Sequence, residues 1–315
     1  MAQNLPPRGR QGQHRSSGDL RASFGRLIAW ALNLEAEEEL RRPGYSPSAK
    51  MLARIDAMTP RIAGLVVPGD VILPRSGKAL AQAPAEGRAW CPTPRALAWL
   101  AAARVRVPPA PSFEVLRRVN HRRFSAELGQ HLEGAIFTAD RATVEARVAR
   151  PTPSGHWLLK RPFGFGGAGR RRVRVGRIDP DLDRWLSASL RDDGLQVEPW
   201  VDRGLDVAIH GHLEENGAFT LGRPTIQRCD DHGAWLGSEA IAPGILRDDE
   251  RRRLFSEAER AGEALAAAGY FGPFGIDAFR YDGGRFNPRS EINARYSMGW
   301  ALGMPDRPDR RVARG

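Results

Sequence analysis

Between Leu158 and Val175 the chain reads LLKRPFGFGGAGRRRVRV, with glycines at 164, 166 and 169 in the spacing G-x-G-x-x-G and Lys160 just ahead of them. A loop without side chains lets backbone amides approach a phosphate closely, and a lysine supplies a compact positive point charge for it. Of the 48 lysines and arginines, just three are lysine: Lys50, Lys78 and Lys160. A chain this biased toward arginine has placed one of its few lysines beside the glycines, which points to a polyphosphate site.

Several unrelated folds use such loops, and context separates them. A dinucleotide fingerprint lies between a strand and a helix. Here Gly169 is followed by RRRVRV, which ends in strand-like alternation, so the loop reads as a hairpin tip. A Walker loop fails because Gly77-Lys78 lacks the earlier glycine and the following Ser or Thr. Protein kinases place their lysine on a later strand and carry HRD and DFG segments, neither of which occurs here.

If Lys160 and the loop hold ATP phosphates, an apolar slot must take the adenine, an acid the ribose, and hard oxygen ligands a magnesium ion. Suitable residues follow in that order: the strand end Glu198-Pro199-Trp200-Val201, then Asp206, then Asp277 with Glu291 and Asn293. Residues two apart on a strand share a face, so Glu291 and Asn293 can grip one ion together. The Asp282-Gly283-Gly284 turn folds the strand bearing Asp277 back beside them.

The elements that must position these groups are legible in outline. Residues 1–18 are rich in Pro, Gly, Gln, Ser and Arg and are expected to be disordered. Over 19–108, apolar and helical segments alternate: a buried strand in FGRLIAWALNL (24–34), helices in EAEEELRR and PSAKMLARIDAM, a strand pair in RIAGLVVPGDVIL, a helix PRALAWLAAA with Thr93 as N-cap, and a short strand RVRVP. This alternation predicts a small α/β unit with a parallel sheet. One helix is expected from Ser112 to Leu132 and another from 139 to 150; strands follow at WLLKRP, RRVRV, LQVEPWV, LDVAIHGHL and FTLGRPTIQ. A long amphipathic helix at 249–268 leads to the hairpin GIDAFRY and RFNPRSEIN.

Together these elements resemble the ATP-grasp family over residues 109–302: a basic helix (NHRRF), the lysine strand and glycine loop, a hinge strand (QVEPWVDRGLD) and the metal strands (GPFGIDAFRYDG, then EINARYSMG). The resemblance implies an α/β (α+β) ATP-grasp fold with two α+β subdomains gripping ATP. It is preceded by the 19–108 unit and followed by a basic tail, 303–315. It implies that Lys160 meets the α and β phosphates under a lid containing Gly164, Gly166, Gly167 and Gly169. Glu198, Pro199, Trp200 and Val201 would surround the adenine, with Asp206 at the ribose hydroxyls. Asp277, Glu291 and Asn293 match ligands of Mg2+ (or Mn2+). Arg295 matches a position that holds the transferred phosphate or acyl intermediate. The family usually carries a lysine where this chain has His121-Arg122-Arg123, which leaves open whether Arg122 or Arg123 reaches the phosphates. The implied activity is ATP-dependent ligation of a carboxylate to an amine through an acyl phosphate, releasing ADP; a noncatalytic ATP-binding protein of the same fold is the alternative. A homodimer is a reasonable assembly for the family.

Composition narrows the remaining classes. The net charge of +11 makes anionic partners plausible, but the excess is spread over the chain and both ends without aromatic interleaving, so nucleic acid is a minority expectation. No apolar run approaches membrane-spanning length. Two cysteines and a polar, basic first segment fit a reducing cytoplasm. Cys229 with His232 falls short of a metal-ligand pattern, and His210 and His212 are expected on one face of an exposed strand. The segment RCDDHGAWLGSE (228–239) is a further candidate lining of the substrate site.

Overall fold

The computed structural model describes residues 27–62, 64–75, 86–129, 132–164, 167–191, 193–230 and 235–306. Gly166, Lys78, His232, the disordered segment expected at 1–18 and most of the expected basic tail lie outside these residues.

A parallel sheet opens the described chain. Its central strand β1 (Ile28–Ala31, IAWA) is buried at every residue between β2 (Val71–Ile72) and β3 (Glu86–Ala89). An unbroken apolar run is what a strand covered on both faces requires. Helices α1 (Ala36–Arg41), α2 (Ala49–Met58) and α3 (Pro94–Ala102) accompany it. The strand pair expected in RIAGLVVPGDVIL is instead a 3-10 turn at Thr59–Ile62, a further turn, and the short β2. Asp70 explains the difference, because its carboxylate accepts from the backbone of Val67 and Ile28 and from Trp30 Nε1, fastening a turn where a ladder was expected. RVRVP contributes a single bridge, Arg106 to Glu86, rather than a strand. Thr93 occupies the N-cap position of α3, but its hydroxyl donates to Glu39 (2.6 Å) instead of capping the helix.

The helix expected from Ser112 to Leu132 is two helices, α4 (Phe113–Asn120) and α5 (Arg122–Glu127), broken at an extended His121. Asn120 makes the break: its amide donates to Leu116 O and Ala294 O, while its oxygen accepts from Ala294 N. His121 Nδ1 then accepts from Arg123 N and starts α5. A four-stranded antiparallel sheet follows, in the order β4 (Ile136–Thr138), β7 (Leu195–Pro199), β5 (His156–Lys160), β6 (Arg170–Arg174). Helices α6 (Arg141–Val148) and α7 (Pro180–Arg191) supply Val144, Val148 and Leu186 to a separate core with Trp157, Leu159 and Val197.

The largest sheet runs β11 (Trp235–Ala240), β10 (Thr225–Cys229), β8 (Arg203–Leu213), β12 (Gly272–Tyr281), β13 (Arg285–Asn293), with β9 (Phe219–Leu221) paired to β8. Helix α8 (Asp248–Ala267) packs on it, and α9 (Trp300–Gly303) follows β13. The β12–β13 turn is left-handed at Asp282, Gly283 and Gly284 (φ 37°, 74° and 109°), the conformation that the Asp-Gly-Gly triplet favours. Pro288 is accommodated because β13 lies on the sheet edge and bulges there, with Pro288, Arg289 and Ser290 opposite Ala278. This sheet shares one core with the first unit, in which Trp30, Leu34, Leu40 and Trp90 join Ile209, Phe274, Ile276 and Trp300. His210 and His212 therefore lie on an interior strand, not an exposed one, and His210 is 1% exposed.

Candidate active site

The glycine loop is the tip of the β5–β6 hairpin, in which Lys160 pairs with Arg170 and Arg161 N donates to Gly169 O (2.9 Å). Gly167 and Gly169 adopt φ of +84° and +79°, and a Cβ on Gly164 would stand 2.8 Å from Ala168 O. The tip therefore needs glycine for both handedness and space. Lys160 projects from the strand end into the protein and forms a buried ion pair with Glu198, which stands on the neighbouring β7. Burial pulls the Lys160 amine below its ordinary range, an effect that Glu198 partly offsets.

Under this hairpin lies a cleft of about 610 Å3, reaching from β5 and β7 to β8 and β12. Its lining includes Gly167, Glu198, Pro199, Trp200, Val201 and Asp206, together with Leu158 and Phe279 as apolar walls. Asp206 pairs with Arg203 at 2.7 Å, and the Arg203 guanidinium lies 3.9 Å from the Phe279 ring centroid. Burial raises the Asp206 carboxyl above its usual range. Cys229 and Asp230, from the 228–239 segment, also line the cleft. The Asp282 turn braces this end, since Asp202 N donates to Asp282 Oδ1 and Asp282 N donates to Asp202 O.

The acids converge as strand register dictates. Asp277 on β12 is opposite Glu291 on β13, and Gly275 is opposite Asn293. Asn293 Nδ2 donates to Asp277 Oδ2 at 3.0 Å, and Gln227 of β10 donates to Asp277 Oδ1 at 2.7 Å. Burial and the neighbouring Glu291 push the Asp277 carboxyl up to about 6. Burial opposes ionisation of Glu291 too, but Arg122 at 2.9 Å, assisted by Lys160, holds it down at about 2. Two carboxylates beside each other thus have opposite tendencies because one faces a guanidinium.

The break before α5 aims Arg122 inward, where it is buried against Glu291 and donates from Nε to Arg161 O (2.9 Å). Arg123 is exposed and lies over the Phe137 ring, away from the acids. Arg289, fully buried, links Glu257 of α8 to the backbone and hydroxyl of Ser125 in α5, fastening that helix to the strand that carries Glu291. Arg295 is held by Glu37 of α1, by Tyr296 O and by Asn293 Oδ1 (3.0 Å from Nη2). Gln227, Arg289, Glu37 and Arg170, which lines the cleft, escaped the sequence reading. Arg170 was visible as the first arginine after the loop, but the others sit in ordinary strand or helix patterns and acquire their places through tertiary contacts.

Among the described residues no three His, Cys, Asp or Glu side chains form a metal cluster. Asp277, Glu291 and the Asn293 oxygen nevertheless fit magnesium, which commonly takes one or two carboxylates and completes its shell with phosphates and water.

No family model matches the chain. Over 195 residues it is 28% identical to the [butirosin acyl-carrier protein]--L-glutamate ligase of Niallia circulans, a match covering 60% of this chain and 46% of that protein. The chain thus spans about half the length of this curated relative. In structure it is similar to N5-carboxyaminoimidazole ribonucleotide synthetase from Thermus thermophilus (TM-score 0.50, 20% identity, 86% of this chain and 72% of that one). It is similar also to the Staphylococcus aureus N5-carboxyaminoimidazole synthetase complexed with ADP (TM-score 0.50, 13% identity, 87% and 71%). With the lysine strand, glycine hairpin and hinge arranged around one cleft and the acid-bearing strands beside it, these likenesses show that the chain has the ATP-grasp fold.

Proposed function

We propose that the protein is a magnesium- and ATP-dependent ligase that joins a carboxylate to an amine, releasing ADP and phosphate. The observation that carries this is the meeting of Asp277, Glu291 and Asn293 with Arg122, next to a nucleotide-sized cleft whose Glu198 wall pairs with Lys160. Binding of nucleotide alone would not require that acid set. The adenine fits between Leu158 and Phe279 beside the Glu198–Val201 strand end, with the ribose toward Asp206. Lys160 and the Gly164–Gly169 hairpin then meet the phosphates, and Arg122, not the outward Arg123, is the second cation there.

A carboxylate is a poor electrophile. Transfer of the γ-phosphoryl group to one of its oxygens makes a mixed anhydride and ADP; the amine attacks the carbonyl carbon, phosphate leaves with the C–O bonding pair, and the nitrogen loses a proton. When bound by Asp277, Glu291 and Asn293, magnesium supplies charge neutralisation for the phosphate oxygens. Lys160, Arg122 and Arg295 provide fixed positive charge where negative charge develops. The glycine hairpin excludes water that would hydrolyse the anhydride.

The name of the Niallia relative directs the first substrates to try: L-glutamate as amine and a carboxylate on an acyl-carrier protein, within a wider acid and amine panel. Turnover is read as magnesium-dependent ADP and phosphate release with a new amide mass. Lys160→Ala and Glu291→Ala should abolish it; unchanged turnover in both would show the site to be misassigned. Nucleotide binding with no turnover across the panel would favour the noncatalytic alternative.

A further inference from the structure

Glu37 was expected only as one acid in the helical EAEEEL stretch. In the fold it is 6% exposed and faces the acid-bearing strands, off the carboxyl end of parallel strand β1, where open α/β sheets place their ligands. Its Oε1 accepts from Arg295 Nε at 2.6 Å and from Nη2, across 258 residues of sequence. Its Oε2 is buried without a hydrogen-bond partner. The same Nη2 donates to Asn293 Oδ1, and Asn293 Nδ2 donates to Asp277 Oδ2. A continuous chain of hydrogen bonds therefore runs from α1 to the proposed magnesium acids. Tyr296 O and the Trp90 ring, 5.6 Å from the guanidinium carbon, close the remaining sides of Arg295.

Without Glu37 the buried guanidinium would lose the carboxylate that holds two of its nitrogens, and with it the orientation in which it also steadies Asn293. We infer that Glu37 is a positioning residue that fixes Arg295 for its work on the transferring phosphoryl group, so that the active site is incomplete without the N-terminal unit. This rests on the phosphoryl-transfer reading above.

The test needs no acceptor substrate. Fluoroaluminate added to MgADP mimics the transferring phosphoryl group, so MgADP affinity is measured by calorimetry with and without it in the full chain. Wild-type protein should bind MgADP more tightly in its presence. Glu37→Gln should lose about tenfold to a hundredfold of that tightening, the range for a displaced charged donor, over and above its change in affinity for MgADP alone. Glu39→Gln is the control, since that buried acid serves Thr93 and the Arg95 backbone. It should lower stability and keep the tightening. Equal tightening in wild type and Glu37→Gln overturns the inference. An equal loss in Glu39→Gln also overturns it, by showing a general effect of disturbing α1. Absence of tightening in wild type overturns the phosphoryl-transfer reading and the inference with it, a distinguishable outcome. If Glu37→Gln does not fold, Glu37→Asp keeps the charge but shortens its reach; it should lose part of the tightening, and full retention overturns the inference.

Discussion

Replacing Lys160 with methionine separates what the lysine does for folding from what it does for nucleotide. Lys160 and Glu198 are each about nine-tenths buried, with side-chain exposures of 9% and 9%. Removing the ammonium leaves a carboxylate desolvated and unpaired, with Gln196 Nε2 as its remaining side-chain donor at 2.8 Å. Breaking one side of a buried pair costs about 3–5 kcal/mol, whereas replacing both partners by neutral groups of similar shape is often close to neutral. Lys160→Met should therefore destabilise by about 3 kcal/mol, and Lys160→Met/Glu198→Gln should recover most of that loss. MgATP affinity should follow a different course: a charge-assisted phosphate contact contributes about 1.5–3 kcal/mol, so both variants should bind at least about tenfold more weakly. Urea denaturation gives the stabilities and isothermal calorimetry the affinities. Recovery of affinity together with stability in the double variant would refute the reasoning, because the lysine would then act only by supporting the fold. Wild-type affinity in the single variant would remove Lys160 from the phosphate site altogether.

Arg122→Gln should weaken MgATP binding at least about tenfold and take from Glu291, whose side chain is 33% exposed, the cation that pairs with it, while Arg123→Gln should leave affinity within about twofold; calorimetry on the pair decides which arginine faces the phosphates. Gly164→Ala puts a carbon 2.8 Å from Ala168 O, so the hairpin must open; faster proteolysis within the loop and weaker MgATP binding are expected, with little loss of global stability. Burial pushes His210 down to about 3 from an ordinary 6.5, and neither ring nitrogen has a hydrogen-bond partner. As pH falls from 6.5 toward 3, the unfolded chain takes up a proton that the folded chain refuses, so stability is lost on acidification: about 2 kcal/mol by pH 5 from this group. Urea titrations at pH 7 and pH 5 should therefore show a smaller acid loss in His210→Phe than in wild type; an identical loss would mean that His210 does not contribute.

Local pattern alone carried the hairpin reading of the glycine loop. Lysine before it, alternation after it and the Asp-Gly-Gly turn act within a few residues, so no distant contact was needed to interpret them. The same holds for the parallel first unit, because an unbroken apolar strand followed by helices has few other ways to be buried. Strand period put Glu291 and Asn293 on one face, but the register continued from the turn would set Asp277 opposite Arg289; the bulge at residues 288–290 is what brings it opposite Glu291.

Where chain segments compete for the same backbone groups, local pattern misled. RIAGLVVPGDVIL has strand composition, but the Asp70 carboxylate captured the Val67 amide in a turn. The helix expected through His121 was broken by Asn120 bonding to Ala294, 174 residues away, and that break decides which arginine faces the acids. The contrast between Asp277 and Glu291 is likewise absent from the sequence, where both are acids on strands. It comes from burial combined with the position of one guanidinium, since electrostatics in a low-dielectric interior depends on distance in space. What the sequence by itself determined was the set of chemical groups and the hairpins that bear them; which cation meets which acid, and the role of Glu37 beside Arg295, depended on packing three sheets together.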